Sequence, residues 1–246
     1  MTVKEFFDRF FFVSHCVGCG EILPYEESKR AFCLSCRAVY NEAKTKNCAT
    51  CYQEAVACTC MPKQLSESGA LCLRKLIFYD KMREHTAPNR LIYRLKHSPN
   101  RRLECFVAEE LSSLVREELK VLELPNVASD AVLVYLPRTR RAHRDEGFDQ
   151  SERITRAMSD TLGIPVVAAI TRTTHSHVQK ALTASERAKN AKISFQCENS
   201  ESVRGKYVLL VDDIVTTGAG MGACVRLLMK AGAKGVLCFC IASTKK

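Results

Sequence analysis

The stretch from Tyr207 to Met221, YVLLVDDIVTTGAGM, constrains this chain more than any other. Val208–Val211 is an unbroken apolar run with a β-branched residue at each end, which suits a strand buried on both faces of a parallel sheet. The run stops on two acids, Asp212 and Asp213, and open α/β sheets place their ligands at the carboxyl ends of such strands. Thr216, Thr217, Gly218, Ala219 and Gly220 then supply hydroxyls and permissive backbone, and Met221–Lys230 takes up a helical pattern. That order sets free N–H groups and the positive end of a helix beside the loop, which makes a cradle for phosphate. The two carboxylates are placed to accept hydrogen bonds from sugar hydroxyls or to reach a hydrated Mg²⁺. The pattern is not a Walker A loop, which needs GxxxxGK followed by Ser or Thr.

A second feature stands at the other end. Eight of the fourteen cysteines fall in four close pairs: Cys16 and Cys19, Cys33 and Cys36, Cys48 and Cys51, Cys58 and Cys60. A CxxC pair followed by Gly makes a tight turn that aims two thiolates at one metal, and two such knuckles complete a tetrahedron. Thirteen residues separate the first two pairs and only six the last two, so one or two structural Zn²⁺ are expected. Spacing alone leaves open which pairs share a metal. With four protein ligands no position remains for water, and the metal reads as a fold-holder for a segment too short to bury much core. Cys72, Cys105, Cys197, Cys224, Cys238 and Cys240 read as small buried hydrophobes.

At 246 residues and 46% hydrophobic content the chain can form one sizeable domain and a small one. A formal charge of +10 favours acidic ligands, although eight thiolates on two Zn²⁺ would lower it to about +6. No apolar run reaches the roughly 18 residues of a membrane span. Residues Phe6–Phe12 are too short and too charged for a signal peptide, so a cytoplasmic protein is expected. Phe6 and Phe10, like Phe7 and Phe11, lie four apart and read as a helical stripe docking on the body, with a membrane-surface helix as the alternative.

The polar connector Met61–Gly69 divides a head, residues 1–62, from a body, residues 70–246. From Arg74 to Arg102 nine Lys or Arg face two acids, a solvated face or a track for phosphates. Helices are expected over Asn89–His97 and Leu103–Leu122. Ala131–Pro137 reads as a second buried strand running into a loop with Arg138, Arg140, Arg141 and Arg144, which opens into a helix over Asp149–Leu162. Ile164–Ile170, Lys192–Phe195 and Gly235–Ala242 complete the strands, and Gly232 stops the helix after the cradle. The alternation gives an α/β parallel sheet with covered faces.

The DDIVTTGAG stretch resembles the PRPP-binding motif of the type I phosphoribosyltransferases. Gly147-Phe148-Asp149-Gln150, and Gln179, Leu182, Glu186, Arg187, Asn190 and Phe195 further on, resemble the ComF family, whose members carry an amino-terminal zinc ribbon, often double, on such a domain. The resemblance implies binding of PRPP or a related sugar phosphate with Mg²⁺, and a link to DNA uptake in competence. If the domain is an enzyme, a nitrogen nucleophile displaces diphosphate from C1 of PRPP. Asp212 and Asp213 would hold the ribose hydroxyls and Thr216–Gly220 the 5′-phosphate. Arg138, Arg141, Arg144 and the segment carrying Lys180 and Arg187 would hold the diphosphate. The competing implication is a non-catalytic zinc-ribbon module that grips single-stranded DNA. Gly220 stands where the family has a Thr, and Glu146 and Asp149 where it has Arg and Asn. An acid beside a diphosphate would repel it.

Overall fold

The computed structural model describes residues 13–80, 85–123, 130–172 and 195–244. The stripe at Phe6–Phe12 and the segment with His175, His177, Gln179, Lys180 and Arg187 lie outside them. Among the described residues the head carries a short 3-10 turn (Tyr25–Glu27) and an α-helix, α1 (Leu34–Lys44), and the connector a single turn, α2 (Lys63–Ser66). The body follows as β1 (Cys72–Tyr79), α3 (Ala87–His97), α4 (Arg101–Val121), β2 (Ala131–Tyr135), α5 (Arg140–Glu146) and α6 (Gln150–Leu162). It ends with β3 (Ile170–Arg172), β4 (Phe195–Cys197), β5 (Tyr207–Val215), α7 (Ala219–Lys230) and β6 (Gly235–Thr244).

Four strands form one parallel sheet in the order β1-β6-β5-β2. Side chains alternate along each strand. Leu209, Val211, Leu237 and Phe239 pack on α3, α4 and α6, whereas Val208, Leu210, Val236 and Cys238 pack with Met221, Val225 and Leu228 of α7. Helix ends are set locally. Asp149 caps α6 by accepting from Ser151 N at 2.9 Å and Glu152 N at 3.2 Å, and Gly163 closes it at a left-handed φ of 70°. Asn100 caps α4, and Glu104 reaches back to the Asn100 amide at 3.1 Å. Glu104 also grips Arg153 of α6 through two bonds of 2.6 and 3.0 Å, fastening α4 to α6.

Three expectations need correction. Of the expected strand Ile164–Ile170, all but Ile170 is limited to a parallel bridge between Val166 and Leu133, and Pro165 has no N–H to extend that ladder toward Ala131. Phe195–Cys197 pairs antiparallel with Ile170–Arg172 in a separate ribbon rather than joining the main sheet. The run Arg74–Arg102 is not one exposed track: Arg74 and Lys75 lie in an edge strand that the charge pattern concealed, and both are buried. The connector packs against the body. Leu65 is fully buried, and α2 packs so closely on α7 that a Cβ on Gly222 would stand 2.6 Å from Gln64 O.

Arg74 Nη1 meets Glu118 of α4 at 2.6 Å, with both side chains 7% exposed, and Glu117 adds a bond of 3.1 Å from the solvent side. Removing Glu118 would take away the buried acceptor of Arg74 and leave it Glu117 and the Val56 carbonyl. Glu118→Ala is therefore expected to lower unfolding stability by about 1–3 kcal/mol in urea denaturation, and Glu117→Ala by less than about 1 kcal/mol.

Candidate functional site

The carboxyl end of β5 is where the sheet opens. Up to Val211 the strand has β2 on one side, and Leu136 N still donates to Val211 O at 2.9 Å. Past that point β2 turns away at Pro137, while β5 continues to Val215 against β6 alone. Asp212 and Asp213 thus lie inside the strand rather than after it, at the point where one neighbour has left. Crevices in open parallel sheets form where adjacent strands diverge in this way.

A cavity of about 280 Å³ occupies the gap, lined by Lys96, Arg138, Thr139, Gln150, Ser151, Arg172, Asp212 and Asp213 among others. Asp213 is held by Lys96 Nζ at 3.3 Å and by the Gln150 side-chain amide. Its Oδ1 also accepts from the Ile214 amide at 2.6 Å. Asp212 accepts from the Asp213 amide at 2.8 Å and from Ser151 Oγ at 3.4 Å. Burial, and then the charge of Asp213 beside it, push the Asp212 carboxyl well above the usual carboxylate range. Burial likewise lowers the Arg172 guanidinium. Two residues that line this cavity each keep one buried polar atom without a partner: Arg138 Nη1, a donor, and Gln150 Oε1, an acceptor. A ligand that accepts at one and donates at the other would satisfy both, as an anion bearing hydroxyl groups can.

Of the residues expected from sequence, the cavity brings together Asp212, Asp213 and Arg138. Thr216 and Thr217 are exposed on the turn between β5 and α7, and none of Thr216–Gly220 lines the cavity. Gly218 is required twice over, by a φ of 74° and by Leu65, whose Cβ would lie 2.9 Å from an added Cβ. Gly220 is under no such constraint, since its added Cβ would meet nothing closer than 3.9 Å. Arg144 is exposed on α5 away from the cavity lining, the side chain of Arg141 lies outside the described set, and so does Arg187. The two acids expected to repel an anion do not face it. Asp149 is spent on the α6 cap and on the Arg138 amide at 2.8 Å, and Glu146 pairs with His97 at 2.9 Å. Sequence reasoning assigned no site role to Ser151 or Arg172, placed Lys96 only within the basic run read as a possible track for phosphates, and used Gln150 only as part of a signature.

The cysteine pairs resolve in chain order. Cys16, Cys19, Cys33 and Cys36 form one group and Cys48, Cys51, Cys58 and Cys60 the other, with the sulfurs of each within 4.8 Å of one another. A tetrahedron with metal–sulfur bonds of 2.3 Å has edges of about 3.8 Å. Cys19 and Cys33 stand 3.8 Å apart and Cys51 and Cys58 3.6 Å, so both groups could hold a metal such as zinc. Burial works against ionisation at Cys16, but the amides of Cys19 and Cys33 hold its thiol down to about 6; at Cys48 the amides of Cys51 and Thr50 outweigh burial to the same value. His15 is not among the ligands and its Nδ1 lies 2.9 Å from Gly20 O.

A family model described as "Phosphoribosyl transferase domain" matches residues 150–246. The chain is 33% identical over 156 residues to the DNA utilization protein YhgH of Escherichia coli K12, covering 63% of this chain and 66% of that protein. It thus spans slightly less than two thirds of that relative's length. The Salmonella typhimurium protein of the same name is 31% identical over 169 residues, covering 65% of this chain and 70% of its own length. Competence protein F of Haemophilus influenzae is 26% identical over 218 residues, 83% of this chain and 93% of that one. The matching domain, these relatives and the cysteine clusters ahead of the sheet agree, and the chain belongs to the ComF family, with a phosphoribosyltransferase-like domain behind a cysteine-rich head.

Proposed function

We propose that this protein binds PRPP or a related sugar phosphate, with Mg²⁺, in the crevice where β2 leaves β5, and that it serves DNA uptake in competence. The observation that carries the reading is a cavity that brings together two carboxylates and three cations, two of whose lining residues, Arg138 and Gln150, each keep a buried polar atom without a partner. Buried polar atoms are rarely left without partners, and here one donor and one acceptor belong to two residues of the same cavity wall, where a small side-chain shift would present them to a ligand. In this reading Asp212 and Asp213 hold the ribose hydroxyls, and Lys96 and Gln150 release Asp213 as the ligand enters. Arg138 and Arg172 meet the diphosphate, with Arg141, Arg144 and Arg187 as further cations drawn to it. The turn Thr216–Gly220 offers its hydroxyls and amides to the 5′-phosphate. Mg²⁺ would neutralise diphosphate charge. A transferase would displace that diphosphate from C1 with a nitrogen nucleophile, and the cations would stabilise the leaving group in a site closed to water. Zinc at the two four-cysteine groups is structural. The names of the relatives in Escherichia coli and Haemophilus influenzae support the role in DNA handling. Fourteen cysteines, all unbridged, suit the reducing cytoplasm. Among the described residues no helix is long and apolar enough to cross a membrane.

A second reading, single-stranded DNA as the ligand, is favoured by a different feature. A groove of about 880 Å³ between the head and α4 is lined by Lys29, Arg30, Arg37, Arg101 and Arg102 over Phe32 and Phe106, with Glu109 as its one acid. Cations at that density attract a polyanion through counterion release.

Unliganded protein should respond to Asp212→Asn by becoming more stable. The raised folded-state value means that the native protein keeps a proton which the unfolded chain gives up, so stability falls as pH rises through and above the carboxylate range. Asn removes that loss, and the melting temperature at pH 8 in Mg²⁺-free buffer is expected to rise by about 2–4 °C for each kcal/mol relieved. PRPP with Mg²⁺ is expected to raise the melting temperature of the native protein, by about 2.7 kcal/mol of linkage at 100 times Kd. Asp212→Asn with Asp213→Asn should abolish that shift; no shift at millimolar PRPP removes the first reading. Fluorescence anisotropy of a labelled thymidine 20-mer at two salt concentrations tests the second. Salt-sensitive binding that Arg30→Glu with Arg101→Glu weakens is expected, and affinity indifferent to salt contradicts it.

A further inference from the structure

Lys75 is 1% exposed, and no carboxylate ion-pairs with it among the described residues. Its Nζ donates to Cys58 O at 2.6 Å and lies 5.8 Å from the centroid of the Phe78 ring. A buried ammonium without a counter-charge is costly, and one carbonyl oxygen does not supply a counter-charge. One source is the four-cysteine group to which Cys58 itself belongs, since the Cys58 thiol lies within reach of the Lys75 ammonium. Four thiolates around a divalent metal carry a net charge of about −2.

The neighbouring residue makes the complementary contact. Arg74 Nη2 and Nε donate to Val56 O at 2.8 and 3.2 Å. Successive side chains of a strand point to opposite faces of the sheet. Two carbonyls two residues apart, Val56 and Cys58, are therefore gripped from the two faces of β1, and the second knuckle straddles the free edge of that strand. Unpaired edges invite association with other chains, and a covering segment prevents it. Lys75 also lies in the same row of the sheet as Cys240 of β6 and Asp212 of β5.

We propose that Lys75 is the charge-balancing and positioning residue of the Cys48, Cys51, Cys58 and Cys60 centre, and that metal bound there holds the edge of the sheet that carries Asp212. This rests on the reading that the centre takes zinc. Metal in the second knuckle then belongs to the body's sheet as much as to the head.

The test is zinc content and zinc release to a chromogenic chelator from the full chain. Native protein is expected to hold two zinc ions. Lys75→Met should release the second at least about tenfold faster, or retain only one, because loss of an outer partner costs metal affinity about 10–100-fold. Lys75→Arg, which keeps the cation, should restore retention. Two zinc ions released from Lys75→Met at the native rate would overturn the role of Lys75 while leaving the zinc reading intact; fewer than two in the native protein would overturn both. Native protein supplies the second measurement should Lys75→Met fail to fold. Withdrawing its zinc should accelerate amide exchange across Cys72–Tyr79, and unchanged protection there contradicts the proposal.

Discussion

Charge balance around two adjacent carboxylates is the constraint on which the rest of this structure depends. Asp212 and Asp213 follow one another at the opening of a parallel sheet, and the neighbouring charge adds to burial in pushing the Asp212 carboxyl upward, so nearby cations favour its charged form. The fold supplies those cations from separate elements: Lys96 from α3, Arg138 from the exit of β2 and Arg172 from β3. Only Lys96 makes an ion pair with the acids themselves among the described residues, while one Arg138 nitrogen is left without any partner. The unliganded site therefore holds polar groups that are costly to keep together, as sites built for ligands commonly do.

The cysteine-rich head enters this balance through packing and through charge. Its core is continuous with the body, since Phe32 and Tyr40 pack on Phe106 of α4 at ring separations of 5.6 and 5.4 Å. Arg90 of α3 donates to Gly18 O in the first knuckle at 2.5 Å, and the same helix carries Lys96 to Asp213. The first knuckle thus steadies the helix that delivers a cation to the acids, and the second covers the far edge of the sheet. Both contacts tie the head to the elements that carry the site.

Much of the fold was legible because the signals were local. The strand over Val208–Val211 and the helices over Asn89–His97 and Leu103–Leu122 follow from apolar spacing, and each appears with ends shifted by a few residues. β1 escaped notice because Arg74 and Lys75 interrupt its apolar run, and only tertiary partners on both faces make their burial tolerable. The cysteines announced metal chemistry, but their grouping needed three dimensions. Asp149 was misread for the same reason: an acid after a basic loop looks repulsive on paper, whereas its carboxylate is committed to three backbone amides. Arg172 and Ser151 carry no motif, and nothing in their immediate neighbours signals that they reach the acids.

A structure of the protein with PRPP and Mg²⁺ bears most directly on the central claim. The account predicts sugar hydroxyls against Asp212 and Asp213, a phosphate oxygen within hydrogen-bonding distance of Arg138 Nη1, and the contact between Lys96 and Asp213 broken or lengthened. PRPP bound elsewhere on the chain, with Arg138 Nη1 still unpartnered and Lys96 still on Asp213, would contradict it.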